Sequence, residues 1–157
     1  MTDINNIKTV CSFYASDWHL VTMLLPNIDK KINKGIKITT ILEKDLNKSM
    51  EILLKKLNIE NKEKILNIDW NKEDCKNIQT KVENNDCIIV CGTKEYIDKA
   101  HELIKDSINK EKRITIIDCY NIDECELEVK EILEEHDIIL NTSGEKDKGE
   151  YITTIKI

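Results

Sequence analysis

The residues able to do chemistry in this chain are few, and most of them fall at the ends of short apolar runs. Cys11, Cys91 and Cys119 each lie late in a β-branched segment (TVCSFY, DCIIVC and RITIIDCY), and His19 follows the first of these. If neighbouring strands brought the three thiols and His19 together, thiolate and imidazole ligands would suit zinc, copper(I) or an iron cluster. Their spacing matches no standard ligand set, and the chain has no CxxC pair among its six cysteines. Cys11, Cys91 and Cys119 are thus the candidates for a metal or redox site, against the plainer reading of inert thiols in a core. Nucleophilic catalysis has less support. Ser143 in NTSGE is not in a GxSxG elbow, and Cys91 could meet His19 or His101 only through tertiary contact. His101 falls in an amphipathic stretch and is expected at the surface. His136 is expected near a helix C-terminus, where a cation is favoured.

A second group of residues points to binding rather than catalysis. Only seven residues are aromatic, and five of them (Phe13, Tyr14, Trp18, Trp70 and Tyr120) directly follow or end predicted strands. In open α/β sheets ligands bind outside the carboxyl ends of the strands. An aromatic and sulfur-lined mouth at that edge suits a small apolar or polarizable molecule. Plain packing under adjacent helices would use the same residue types. Phosphate is a poor fit, because the junction Phe13-Tyr14-Ala15-Ser16-Asp17-Trp18-His19 contains no Gly and no Lys. Backbone N–H groups cannot wrap a phosphate there without glycine, no side-chain cation is present, and Asp17 would repel the ligand. Ser16 or Asp17 is well placed as a helix N-cap.

These residues need a scaffold, and the hydrophobic pattern supplies one. Strands are expected at Thr9–Tyr14, Ile36–Leu42, Lys64–Ile68, Asp86–Cys91, Arg113–Asp118, Ile138–Leu140 and Tyr151–Ile157. Several are apolar at consecutive positions, as in a sheet covered on both faces. Helical spacing of Leu20, Met23, Leu24, Ile28 and Ile32 predicts a helix over 18–32 that stops near Gly35. Met50, Leu53, Leu54 and Leu57 mark a second helix. Ile97, Leu103, Ile104 and Ile108 mark another, Val129, Ile132 and Leu133 a shorter one, and the polar stretch Lys72–Asn84 a weaker one. The alternation implies right-handed crossovers and a mainly parallel sheet, an α/β protein with a single domain over residues 1–157. The turn-rich stretch Gly144–Gly149 precedes YITTIKI, which alternates and could pair antiparallel at the end.

Composition narrows the functional classes. The chain of 157 residues is 34% charged and 40% hydrophobic, with a formal net charge of -6. That balance opposes direct nucleic-acid binding, which needs a clustered basic face. No apolar run has the length of a membrane span, and the polar opening lacks a signal-peptide core, so a cytoplasmic protein with reduced thiols is expected.

Three stretches together carry a family resemblance. VCSFYASDWHLVTMLLPNIDKKINKGIKITTILEKD, DCIIVCGTKEYIDKAHELI and IDCYNIDECELEVKEILEEHDIILNTSGE resemble, in order and spacing, the opening, centre and end of the MEDS domain, the methanogen/methylotroph DcmR-type sensory domain. The chain departs from that family in its short polar middle between Trp70 and Asp86. The resemblance implies a three-layer α/β/α sandwich similar to RecA/KaiC-type P-loop NTPase domains, without a Walker A motif; FYASDWH stands in the place of the lost loop. It further implies a non-catalytic sensory role with no cofactor and a small organic ligand. Carried over by position, the ligand-lining residues are Phe13, Tyr14, Trp18, His19, Cys91, Thr93 and Tyr120. A chain filled by the sensor would signal through a separate kinase or transcription-regulator partner, or by forming a homodimer. The alternatives are a protein-interaction scaffold whose pocket is packed shut, and a cysteine-based redox or metal sensor.

Overall fold

A computed structural model describes residues 7–72, 77–108 and 112–147. Six strands form one sheet: β1 (Ile7–Tyr14), β2 (Ile38–Leu42), β3 (Cys87–Gly92), β4 (Ile114–Asn121), β5 (Ile138–Asn141) and β6 (Gly144–Asp147). Their order across the sheet is β2-β3-β4-β1-β5-β6, with every neighbouring pair parallel except β5–β6. The helices are α1 (Asp17–Asn33), α2 (Asn47–Lys56), α3 (Lys62–Leu66), α4 (Ile78–Asn84), α5 (Lys94–Ser107) and α6 (Val129–Glu135).

Chain direction decides which helices cover which face. The connection from β1 to β2 runs one way across the sheet, whereas those from β2 to β3, β3 to β4 and β4 to β5 run the other way. Right-handed crossovers then place α1 opposite α4, α5 and α6. The two apolar cores have that division. One packs Leu20, Leu24 and Ile28 of α1 with Met50 of α2, Ile65 of α3 and Trp70 against Val10, Ile89 and Ile117 of the sheet. We call this side face A. The other, face B, packs Ile78 and Val82 of α4, Ile97 and Ile104 of α5 and Ile132 of α6 against Cys11, Ile88 and Ile116. The α/β/α sandwich expected from the sequence is therefore the fold. Among the described residues no helix is long and apolar enough to cross a membrane.

Local sequence accounts for most boundaries. The Ser16 hydroxyl caps α1 by accepting the His19 N–H at 3.2 Å. Gly35 follows the last turn at φ 79, a left-handed conformation that only glycine adopts cheaply. Thr93 caps α5 by accepting the Tyr96 N–H at 3.2 Å.

Two segments differ from the sequence pattern. KILNI, expected as a strand, lies instead in α3 and the turn after it. Only Ile65 of α3 is buried, so the segment anchors one side chain rather than alternating faces, and the Ile65 carbonyl accepts the Trp70 indole N–H at 2.8 Å. Trp70 is consequently a fully buried core residue. Gly144–Asp147, expected as a turn, is strand β6. Its Glu145 receives hydrogen bonds from Asn27 (2.9 Å) and Lys31 (3.0 Å) of α1, with Lys8 of β1 beside it. Burial alone would raise the Glu145 carboxyl, but these donors hold it at about 2. The expected strand Tyr151–Ile157 lies outside the described residues.

Leu24, with no exposed surface, and Leu127, exposed over 95% of its area, separate packing from mere hydrophobicity. Leu24→Ala should lower unfolding free energy by about 2–5 kcal/mol, and Leu127→Ala should change it by about 0.5 kcal/mol or less. Urea denaturation of both variants checks this.

Candidate functional site

Strands β1 to β4, with β5 parallel to them, finish at one edge of the sheet, and the loops leaving that edge diverge. After β3 and β4 the chain departs for α5 and α6 on face B, whereas after β1 and β2 it departs for α1 and α2 on face A. Over the carboxyl ends of β3 and β4, face A is therefore bordered by the loops of the outer pair. A cleft lies there, as expected where successive connections separate. It is lined by Tyr14 at the end of β1, Asp17 and Leu20 of α1, Glu43, Lys44 and Leu46 after β2, Cys91 and Gly92 of β3, and Glu124 after β4.

The cleft is narrow, with a volume of about 10 Å³, just enough for one water-sized group. Glu43 helps to close it. Its Oε1 accepts the Thr93 N–H at 2.8 Å, at the N-terminus of α5, where a carboxylate is favoured by the helix dipole. Gly92 makes the approach feasible, since a Cβ there would stand 2.6 Å from that same oxygen. Tyr14 is 5% exposed; among the described residues the buried side-chain polar atom left without a hydrogen-bond partner is Asn27 Oδ1, which is not in this cleft. Burial, together with the charges of Cys91, Cys119, Asp17 and Glu124, pushes the Tyr14 ionisation far up, so the side chain remains a neutral phenol. Asp17, Glu43 and Glu124 have no ion pair among the described residues.

The structure distributes the expected site residues over both faces. Tyr14 and Cys91 line the cleft, and Thr93 contacts its Glu43 through the backbone. Phe13 and Tyr120 lie on face B, stacked on each other with centroids 5.9 Å apart. Adjacent residues of a strand point to opposite faces, so Phe13 and Tyr14 could not share a pocket. Trp18 is 46% exposed, and the His19 ring folds back to accept the Ala15 N–H at 3.0 Å. The thiols divide likewise. Cys91 and Cys119 are in register on face A, whereas Cys11 is on face B, so the three do not converge. The hydrogen bond with Cys91, followed by burial, pushes the Cys119 thiol well up. Among the described residues no three His, Cys, Asp or Glu side chains are grouped to hold a metal ion.

A different cluster escapes the sequence reading. Asp118, with no exposed surface, sits mid-sheet on β4, beside Cys11 of β1 and Val90 of β3. Its Oδ1 meets His101 Nε2 of α5 and its Oδ2 meets His136 Nε2 at the end of α6, both at 2.7 Å. His136 Nδ1 is also 2.7 Å from the Ile132 carbonyl. A carbonyl and a carboxylate both accept, so both His136 nitrogens carry protons and the ring is an imidazolium. Burial pushes Asp118 up, but the two histidine hydrogen bonds outweigh it and leave the carboxyl below its usual range. Burial pushes His136 down, and its bond to Asp118 more than reverses that. His101, expected at the surface, keeps only 19% of its side chain exposed. The position of His136 at the C-terminus of α6 is as expected; its burial and partner are not. The available signal was an acidic residue closing the apolar run RITIID, which must find a donor when buried.

No family model matches the chain, and no curated protein matches it.

Asp118→Ala should destabilise the fold by about 3–5 kcal/mol, because it strands His136 in a buried site. The pH dependence has two arms. Asp118, depressed in the fold, contributes stability above its unfolded pKa of about 3.9, lost as pH falls through its folded value. His136, raised in the fold, contributes stability that is full below about 6.5 and lost as pH rises through its folded value. Denaturation between pH 3 and 9 should show both arms in the wild type, with the alkaline arm missing in His136→Gln.

Proposed function

We propose that the chain is a non-catalytic sensory domain that binds a small organic ligand in the face-A cleft and signals through a separate partner. The observation that carries this reading is the cleft itself. It lies at the diverging carboxyl edge, where α/β sheets bind ligands, and Tyr14 offers it an aromatic wall. The groups around it come from the ends of four strands, so an occupant would be felt by several connections at once. Asp17 and Leu20 belong to α1, which packs against α2 and α3 and is tied to β6 through Glu145. A ligand that favours one position of Asp17 over another would shift α1 and the surface it presents. The resemblance to the MEDS domain agrees with this reading, and the Gly-free loop after β1 disfavours nucleotides. A partner kinase or transcription regulator would then read the α1 position, in the compartment of a cytoplasmic protein.

A second reading, a protein-interaction scaffold, is favoured by one observation, the water-sized volume of the whole cleft. It predicts a stable dimer or partner complex and no ligand response.

Amide NMR of the protein titrated with a set of small neutral, cationic and anionic organic molecules separates the two. The sensory reading expects saturable shifts centred on Tyr14, Glu43, Gly92 and Glu124, abolished or displaced in Tyr14→Ala. Saturable binding by none of the set, with a stable oligomer in solution, would establish the scaffold reading instead.

A further inference from the structure

A much roomier opening lies elsewhere on the molecule. A groove of about 550 Å³ runs between the second half of α1 and the β5–β6 hairpin, a volume within the range of small-molecule sites. Its α1 wall carries Asn27, Lys30, Lys31 and Lys34 at helical spacing, and Lys8 of β1 borders it as well. The lining thus sets four lysines against one carboxylate, Glu145, in a chain whose formal net charge is -6. Glu145 is 3.0 Å from the Lys31 ammonium and 3.4 Å from that of Lys8, so these two lysines offset it. Lys30 and Lys34 are exposed and have no ion pair among the described residues. The dipole of α1 favours cations at its end, which accounts for the lysines at 30, 31 and 34 one by one. It does not account for Lys8, which reaches the same groove from another element.

The chemistry of the walls narrows the occupant. An ammonium only donates, and the hydroxyls of Thr142 and Ser143, on the opposite wall, can donate too. These groups together suit a molecule with several anionic oxygens. Lys30 and Lys34 stand one turn apart, about 6 Å along the helix axis, a spacing that two acidic groups on a short carbon chain can match. Asn27 is an independent sign that this wall is incomplete. Its Nδ2 donates to Glu145 Oε2 at 2.9 Å, which fixes the sense of the amide and leaves Oδ1 buried with no donor. Native structures leave few such atoms bare, and a donor carried by an occupant, or an ordered water held beside it, would complete this one.

We propose that the groove between α1 and the β5–β6 hairpin binds a small multivalent oxyanion, a polycarboxylate or a phosphate ester, seated chiefly on Lys30 and Lys34 and facing the Thr142–Ser143 turn. The site is separate from the carboxyl-edge cleft and stands whether or not that cleft takes a ligand. Its occupant adds a second charged tie between α1 and the hairpin, beside the one that Glu145 makes with Lys31.

The test is a titration of the 15N-labelled full chain, at neutral pH and fixed ionic strength, with citrate, glycerol 3-phosphate and acetate, followed at the Lys34, Ser143 and Gly144 amides. Saturable shifts there with citrate or glycerol 3-phosphate, and binding of acetate weaker by about fivefold or more, support the proposal, and the tighter of the two multivalent probes names the acidic group. Lys30→Gln and Lys34→Gln, both at exposed positions outside the Glu145 network, should each weaken that binding by about fivefold, the scale of one exposed ion pair, without lowering thermal stability. Affinity unchanged in both variants overturns the proposal, since the charge is then held elsewhere. Equal affinity for acetate overturns it too, because the site then does not read multiple charge. Shifts that fail to saturate and spread over lysines across the surface reduce the effect to general screening and also overturn it. Saturable shifts centred on Tyr14 and Glu43 instead would move the anion to the carboxyl-edge cleft, overturning this proposal while supporting the ligand-binding reading of that cleft.

Discussion

A carboxylate without solvent contact, in the middle strand of the sheet, is the constraint on which face B depends. Removing Asp118 from water is unfavourable by several kcal/mol, and only well-aligned donors offset it. Two histidines on different helices do so, each at 2.7 Å. The ion pair with His136 ties the end of α6 to β4, and the bond to His101 ties α5 to the same strand. Lys94 at the start of α5 adds ion pairs with Glu131 and Glu135 of α6, on the exposed side. Helices α5 and α6 are thereby each held to β4 through the buried Asp118, and the exposed Lys94 pairs add a weaker tie between them.

Face A is built differently. Its core is apolar, with Trp70, Leu24 and Met50 fully buried, and its polar ties are at the rim, through Asp29 to Asn61 and Glu145 to Asn27 and Lys31. At the carboxyl edge the groups meeting over β3 and β4 are carboxylates, a phenol and a lysine rather than a closed network. The asymmetry has a topological origin. The helices after β3 and β4 pack on the locked face, so the other face is bordered mainly by the segments after β1 and β2, with Glu124 after β4 at its rim. A fixed layer on one side and a cleft on the other is the arrangement that the proposed binding-induced shift of α1 would require, with the sheet as its reference.

Much of this was legible in the residues and some was not. The alternation of β-branched runs with amphipathic stretches determines the sandwich, and Ser16 and Gly35 mark the ends of α1 through capping and positive φ. KILNI misleads because a five-residue apolar-containing run reads alike as strand or helix, and the choice falls to tertiary packing around Ile65 and Trp70. GEKD misleads in the opposite sense, since its strand depends on pairing with β5 and on partners for Glu145 more than a hundred residues earlier. Phe13, Tyr14, Cys91 and Tyr120 all lie at strand ends as expected, but only Tyr14 and Cys91 line the cleft. Period-two alternation was the available guide to the remainder: it puts Phe13 and Tyr120 on one face and Tyr14 on the other. The Asp118 cluster could not be assembled from sequence, because its three members come from β4, α5 and the end of α6, and only the fold brings them together.

The most direct test of the locked face is the protonation state of His136, read from the 15N shifts and N–H couplings of its imidazole in the native protein at pH 7. Both ring nitrogens should be protonated, one bonded to the Ile132 carbonyl and the other to Asp118. A neutral ring with one bare nitrogen would contradict the ion pair and, with it, the account of face B as the fixed layer.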